Sequence, residues 1–269
     1  MKNIYFYITA LFVIIASISF VPIKAKPMLK EEDVTYIADG VTLKGFVVYD
    51  ESRPGKRPAI LVVHEWWGLN DYSKNRARQL AELGYIAMAV DMYGDGVTAS
   101  SPQRAQELAT PFYKNPQLAK IRLEAALKKV KEFKQTDVAN VGAIGYCFGG
   151  YVVLNSAKLG TDLKGVVSFH GGLTGVQANK DLLKAKILVC HGGNDKFVSE
   201  KDVVDFKHSL DSIGADYIFK VYPDATHAFT NPDASKTGKQ FNMPIEYNEV
   251  ADNASWLEMK NFLLNIFKK

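Results

Sequence analysis

The sequence predicts an α/β domain, a mostly parallel sheet with helices on both faces. Three observations carry this. Apolar runs alternate with segments of helical period after an opening pair of strands, which is the pattern of βαβ units. The runs in "RPAILVVH", "YIAMAVD" and "KILVCHG" are continuous rather than alternating, as in strands covered on both sides. The chain has 269 residues, 47% apolar and 23% charged, enough to bury one large core.

The elements follow in order. "VTYIADGVTLKGFVVYD" reads as two strands joined by a tight turn at Asp39-Gly40. "RPAILVVH" is a buried strand ending at His64. "SKNRARQLAELG" has helical spacing and stops at Gly84, a residue suited to the left-handed position that ends a helix. "YIAMAVD" is a strand; "PQRAQELATPFY" and "PQLAKIRLEAALKKVKEF" are helices. "VANVGAIGY" is a strand that leads directly into a helix over "CFGGYVVLNSAKLG". The strands "LKGVVSFH" and "KILVCHG", the helix "SEKDVVDFKHSLDSIG", the strand "ADYIFKVYP" and the helix "EVADNASWLEMKNFLLNIFKK" complete the series. There is no internal repeat, and residues 26–269 read as a single domain.

Residues 1–25 differ in kind. Lys2 precedes an apolar run from Ile4 to Val21, and Ile23-Lys24-Ala25 offers a cleavage site, the signature of a secretory signal peptide. An uncleaved anchor is the rival, because a run of about 18 apolar residues can just span a bilayer. Cleavage is the expectation, giving an exported protein, periplasmic or secreted, with no membrane association afterwards. The formal charge of +4 falls to +2 once Lys2 and Lys24 are removed. No dense Lys/Arg cluster suggests nucleic acid as a partner. A monomer is the default expectation. Export would allow Cys147 and Cys190 to pair, although a chain of this size does not need a disulfide for stability.

The unusual residues fall in the loops after strands: "HEWWGLND", "DMYGDG", "GYCFGG", "FHGG", "HGGND" and "DATHAF". In an open α/β sheet these loops converge on the edge where ligands bind. Cys147 lies between a strand and a helix with glycines at 145, 149 and 150, the context of a nucleophile elbow. A helix N-terminus there favours the thiolate. The plain alternative is a glycine-rich packing turn with a buried thiol. Asp195 follows another buried strand and can hold the Nδ1–H of a histidine; its alternative is a helix cap, for which Ser199 is better placed. His227 follows the last strand. A lone histidine is usually a surface or core residue, yet the order Cys147, Asp195, His227 is nucleophile, acid, base, each at a different strand end.

Acyl chemistry also needs oxyanion donors. One is the backbone N–H of Phe148, directly after the nucleophile, and the other comes from the loop at or near Trp66. "HEWWG" lacks the second histidine of a zinc motif, with Gly68 in its place, so no metal and no cofactor is expected. Glu65, beside Trp66 and Trp67, either points to solvent or is desolvated, its pKa raised, as a hydrogen-bonding partner for a thiol or histidine.

Taken together, "HEWWGLN", "DMYG", "GYCFGG", "HGGND" and "THAF" resemble the dienelactone hydrolase family over nearly the whole chain after residue 25. The resemblance implies the α/β-hydrolase fold and a Cys147/His227/Asp195 triad. It further implies that Glu65 holds the resting thiol until substrate frees it, with the amides of Trp66 and Phe148 as the oxyanion hole. Two departures stand out. Members that hydrolyse dienelactone grip its carboxylate with two arginines, at positions occupied here by Asn231 and Asp95. Without those bidentate cations anionic lactones should bind poorly. Arg104 on the next helix is a weak substitute. Trp67 and Tyr93 are expected to wall the pocket, and Cys190 to lie buried beneath the site. The function expected is an exported cysteine hydrolase of carboxylic esters or lactones. A non-catalytic binding protein on the same fold and an acyltransferase using the same thioester are the alternatives.

Overall fold

A computed structural model describes residues 26–268. The expected signal segment, residues 1–25, lies outside them. Among the described residues no helix is long and apolar enough to cross a membrane.

β1 (Leu29–Ala38) and β2 (Val41–Asp50) form an antiparallel hairpin. Asp39 and Gly40 both have positive φ, 50° and 69°, the geometry a two-residue turn needs to follow the strand twist. β2 then pairs antiparallel with β4 (Ile86–Val90). From β4 onward every pairing is parallel, through β3 (Arg57–Val63), β5 (Thr136–Tyr146), β6 (Gly165–Phe169), β7 (Lys186–Gly192) and β8 (Tyr217–Tyr222). The sheet order is β1-β2-β4-β3-β5-β6-β7-β8.

Each central strand feeds both faces. Along β3, Ala59, Leu61 and Val63 join one apolar cluster, and Ile60 and Val62 join the other. All five are fully buried, and each larger side chain contributes roughly 1.5–3 kcal/mol relative to exposure. That two-sided burial is why the strand sequences are continuous apolar runs. α1 (Asp71–Leu83) and α7 (Glu249–Ile266) cover one face, through residues such as Leu80 and Phe262. α2 (Pro102–Lys114), α3 (Pro116–Lys131), α4 (Phe148–Lys158) and α5 (Glu200–Asp211) cover the other, through Ala109, Leu123, Val152 and Phe206. Gly84 ends α1 with φ 104°, and Ser199 caps α5 in a reciprocal pair with Asp202.

One feature departs from the sequence reading: a further helix, α6 (Ala234–Phe241), stands between β8 and α7. The β6–β7 connection, residues 171–185, contains no helix, as the strand-to-strand reading of that stretch expects. Both segments lie at the carboxyl edge of the sheet and help to enclose the site.

Candidate active site

Cys147 stands at the junction of β5 and α4 with φ 53° and ψ −113°, a strained conformation for a residue with a side chain. The junction is possible because the chain crosses itself there at van der Waals limits. A Cβ on Gly145 would lie 2.0 Å from Gly149 O, and one on Gly149 would lie 2.3 Å from Val63 O. α4 begins at Phe148, so the thiol sits at a helix N-terminus, where an anion is favoured. Both cysteines are free; Cys147 is half-buried and Cys190 fully buried.

The other two members of the expected triad meet at this point. His227 Nδ1 lies 2.8 Å from Asp195 Oδ2. Asp195 also accepts from the Phe197 N–H at 2.8 Å, which fixes the carboxylate's orientation. Burial would raise the Asp195 pKa, but the His227 hydrogen bond and charge outweigh it and hold the acid below its usual range. Burial alone would lower the His227 pKa; the Cys147 sulfur and Asp195 outweigh it and raise it well above the ordinary value. The site is therefore built to favour the protonated imidazole of His227 beside the Asp195 carboxylate.

A cavity of about 350 Å³ opens over Cys147 and His227. Its walls include Trp66, Trp67, Tyr113, Tyr151, Phe197 and Ile245, and among the described residues no lysine or arginine lines it. Trp67 is wedged between Trp66 and Phe241 at the end of α6, with ring centroids 5.2 and 5.9 Å away. Met243 and Ile245, just beyond that helix, close the same side. Thr174 from the helix-free β6–β7 connection also lines the cavity. The expected oxyanion amides, those of Trp66 and Phe148, belong to the two segments that flank Cys147.

Three expectations need correction. Tyr93 does not line the cavity; it stands one layer behind, its hydroxyl donating to Trp66 O at 2.9 Å and its ring packed on His64 and Phe148. Asp91 fixes this loop by accepting from the N–H groups of Tyr93, Gly94 and Gly96, and so turns the tyrosine inward. Asp95 brings no acid to the site, because it faces solvent beside Lys44, 3.9 Å away. Arg104, a weak substitute in the sequence reading, indeed pairs with Glu107 on the exposed face of α2 and does not line the cavity. Glu65 is buried as a desolvated group, its pKa pushed up to about 7, but its hydrogen bond goes neither to the thiol nor to the histidine. Asn231 Nδ2 donates to Glu65 Oε2 at 2.6 Å.

His64 heads the "HEWWG" segment as a structural group. Met92 N–H donates to its Nε2, so the ring proton is on Nδ1 and goes to Glu65 O. Burial pushes its pKa down to about 4, and the ring stays neutral.

A model of the dienelactone hydrolase family matches residues 43–267. The chain belongs to the dienelactone hydrolase family. A carboxymethylenebutenolidase-named protein of Aquifex aeolicus (strain VF5) is 30% identical over 203 residues, covering 74% of this chain and 86% of its own. Among solved structures, a dienelactone hydrolase-like promiscuous phosphotriesterase from metagenomic libraries superposes with a TM-score of 0.84 at 30% identity, covering 89% of this chain and 99% of that one. A dienelactone hydrolase-type structure from Klebsiella pneumoniae matches in fold, with a TM-score of 0.74 at 20% identity, over 88% of this chain and 98% of that one. The mostly parallel sheet described above is thus the α/β-hydrolase architecture of this hydrolase family.

The residues that sequence reasoning passed over are the polar supports beneath the site. His170 accepts from the Cys147 N–H, and Thr230 bonds His170 in turn. "FHGG" marked the first as a strand-end residue; nothing local marked its partners.

Proposed function

We propose that this dienelactone hydrolase-family protein hydrolyses neutral carboxylic esters or lactones through Cys147. The observation that carries the reading is the Asp195–His227 pair at 2.8 Å set against Cys147 in a largely apolar cavity with no lysine or arginine among its described lining residues. His227, oriented by Asp195, takes the thiol proton, and the thiolate attacks the acyl carbon. The amides of Trp66 and Phe148 receive the tetrahedral oxyanion. Collapse expels the alcohol, which takes the proton from His227, and leaves an acyl-thioester on Cys147. Water deprotonated by His227 then attacks the thioester; collapse breaks the C–S bond, releases the carboxylic acid, and His227 returns the proton to the sulfur.

Charge selects the substrate class. A carboxylate entering this cavity would leave water without a guanidinium or ammonium to meet it. Aromatic walls instead favour an apolar acyl or alcohol part. The phosphotriester in the name of the structural relative is likewise a neutral ester. We further propose that residues 1–25 direct export and are removed; N-terminal sequencing of the exported protein checks this, and an intact Met1 contradicts it.

The test is a substrate panel of neutral aryl esters, neutral lactones, a phosphotriester and an anionic dienelactone. Hydrolysis of the neutral compounds with the anionic lactone at least about 10-fold slower in kcat/KM supports the reading. Preference for the anionic lactone, or no hydrolysis of any compound, contradicts it.

A further inference from the structure

Nucleophile and base stand on loops that follow different strands, and one buried ring spans the two. His170 follows β6 directly, has φ 42° and is fully buried. The Cys147 N–H is forked between Phe169 O at 3.0 Å and His170 Nδ1 at 3.1 Å. A backbone N–H can only donate, so Nδ1 carries the lone pair and the neutral ring has its proton on Nε2. That nitrogen lies 2.7 Å from Thr230 Oγ1 and donates to it. Thr230 sits on the segment that carries His227. It is anchored in turn by Tyr72 OH, 2.6 Å from its hydroxyl, and by Arg76, whose Nη2 donates to its carbonyl at 2.6 Å. The two imidazoles also touch, with His170 and His227 ring centroids 5.3 Å apart.

We propose that His170 is a positioning residue, a rigid strut that ties the backbone of Cys147 to the His227 loop and sets the gap between thiol and imidazole. The proposal rests on the reading of Cys147 and His227 as nucleophile and base. Three observations support it. The strained Cys147 backbone needs an external hold, and the forked N–H supplies one. An imidazole fixes its two nitrogens relative to each other, so the distance between the loops cannot drift as it would across a flexible side chain. His170 lines no part of the cavity, so its effect falls on the geometry of reaction rather than on substrate contact. Burial, and then the charge on His227, hold the His170 pKa well below the ordinary value, so the required neutral ring persists at working pH.

The test uses two variants that keep shape, one removing the strut and the other its acceptor. His170→Phe removes both nitrogens, and Thr230→Val removes the acceptor. Readouts are kcat and KM for a neutral aryl ester, thermal melts, and the rate at which iodoacetamide alkylates Cys147 at about pH 6, where an unprimed thiol reacts slowly. Cys190 does not compete, since burial pushes its pKa up to about 12. The expected result is a fall in kcat of roughly 10- to 100-fold with KM nearly unchanged, because displacement of about 1 Å has costs of that order. Alkylation slows in parallel. His170→Gln, which offers an acceptor and a donor, restores part of both rates and covers the case in which His170→Phe does not fold. Wild-type kcat and alkylation rates in Thr230→Val and His170→Phe overturn the proposal, as does a loss confined to KM or to melting temperature. Alkylation reads the strut without any ester, so failure of the hydrolase reading leaves this measurement intact.

Discussion

Asn231 donates its side-chain amide to Glu65 at 2.6 Å, and both residues are buried beside His227. Asn231 stands where dienelactone-hydrolysing relatives are expected to have a carboxylate-gripping arginine. Here the position serves a protein carboxyl instead of a substrate carboxyl. Asn231→Leu leaves that carboxyl without its donor, and loss of a buried hydrogen bond to an ionised group costs about 1–3 kcal/mol. Urea denaturation at about pH 8, where Glu65 is mostly ionised, should show this loss. At about pH 5 the loss should be smaller, because the neutral acid needs the donor less.

Glu65 also predicts a pH dependence of stability. Burial raises its folded pKa to about 7 from an ordinary 4.5. The native state therefore binds the proton more tightly than the unfolded chain does. The stability linked to that proton is complete below about pH 4.5 and is lost as pH rises through about 7. Glu65→Gln removes the titration and should raise the melting temperature more at pH 8 than at pH 5, by an amount corresponding to about 1–3 kcal/mol. Melts of both proteins at the two pH values measure it. Equal shifts would refute the assignment.

Asp195 holds His227 by its Nδ1. Asp195→Asn keeps the volume but presents an amide that can donate, which favours the wrong imidazole tautomer. The expected loss in kcat is roughly 10²- to 10⁴-fold with little change in KM. Steady-state kinetics on a neutral ester measure it, and an undiminished kcat contradicts the role.

Lys158, in the last turn of α4, is buried with its ammonium 4.9 Å from the centre of the Phe206 ring. Burial lowers its pKa to about 8. A base depressed in the folded state contributes its stability above the unfolded value of about 10.5 and loses it as pH falls through about 8. At neutral pH the lysine is therefore a cost. Lys158→Met should stabilise the protein by about 1–3 kcal/mol at pH 7, with the gain shrinking toward pH 10.5. Denaturant melts across that range check the sign.

Much of the fold was legible because its signals are local. The positive-φ turn at Asp39-Gly40, the continuous apolar strands and the glycines around Cys147 each express a constraint within a few residues. The order of Cys147, Asp195 and His227 along the chain located the three groups that the structure brings together. α6 was not legible, because "ASKTGKQF" spans only eight residues and its buried face is made by the small Ala234 and Gly238. Loop interiors were misread for a related reason. Tyr93 and Asp95 are turned by the hydrogen bonds of Asp91, so Tyr93 sits behind the wall and Asp95 reaches solvent. Likewise the partners of Glu65 and His170 lie 166 and 60 residues away, a pairing that no local pattern encodes.

The most direct test of the central claim is the kcat/KM of wild type and Cys147→Ala on one neutral aryl ester. The substitution removes only a half-exposed sulfur and leaves the Asp195–His227 pair in place. Loss of activity to the uncatalysed background, with the variant still folded, is the predicted result. Equal rates for the two proteins would contradict a thiolate mechanism at this site.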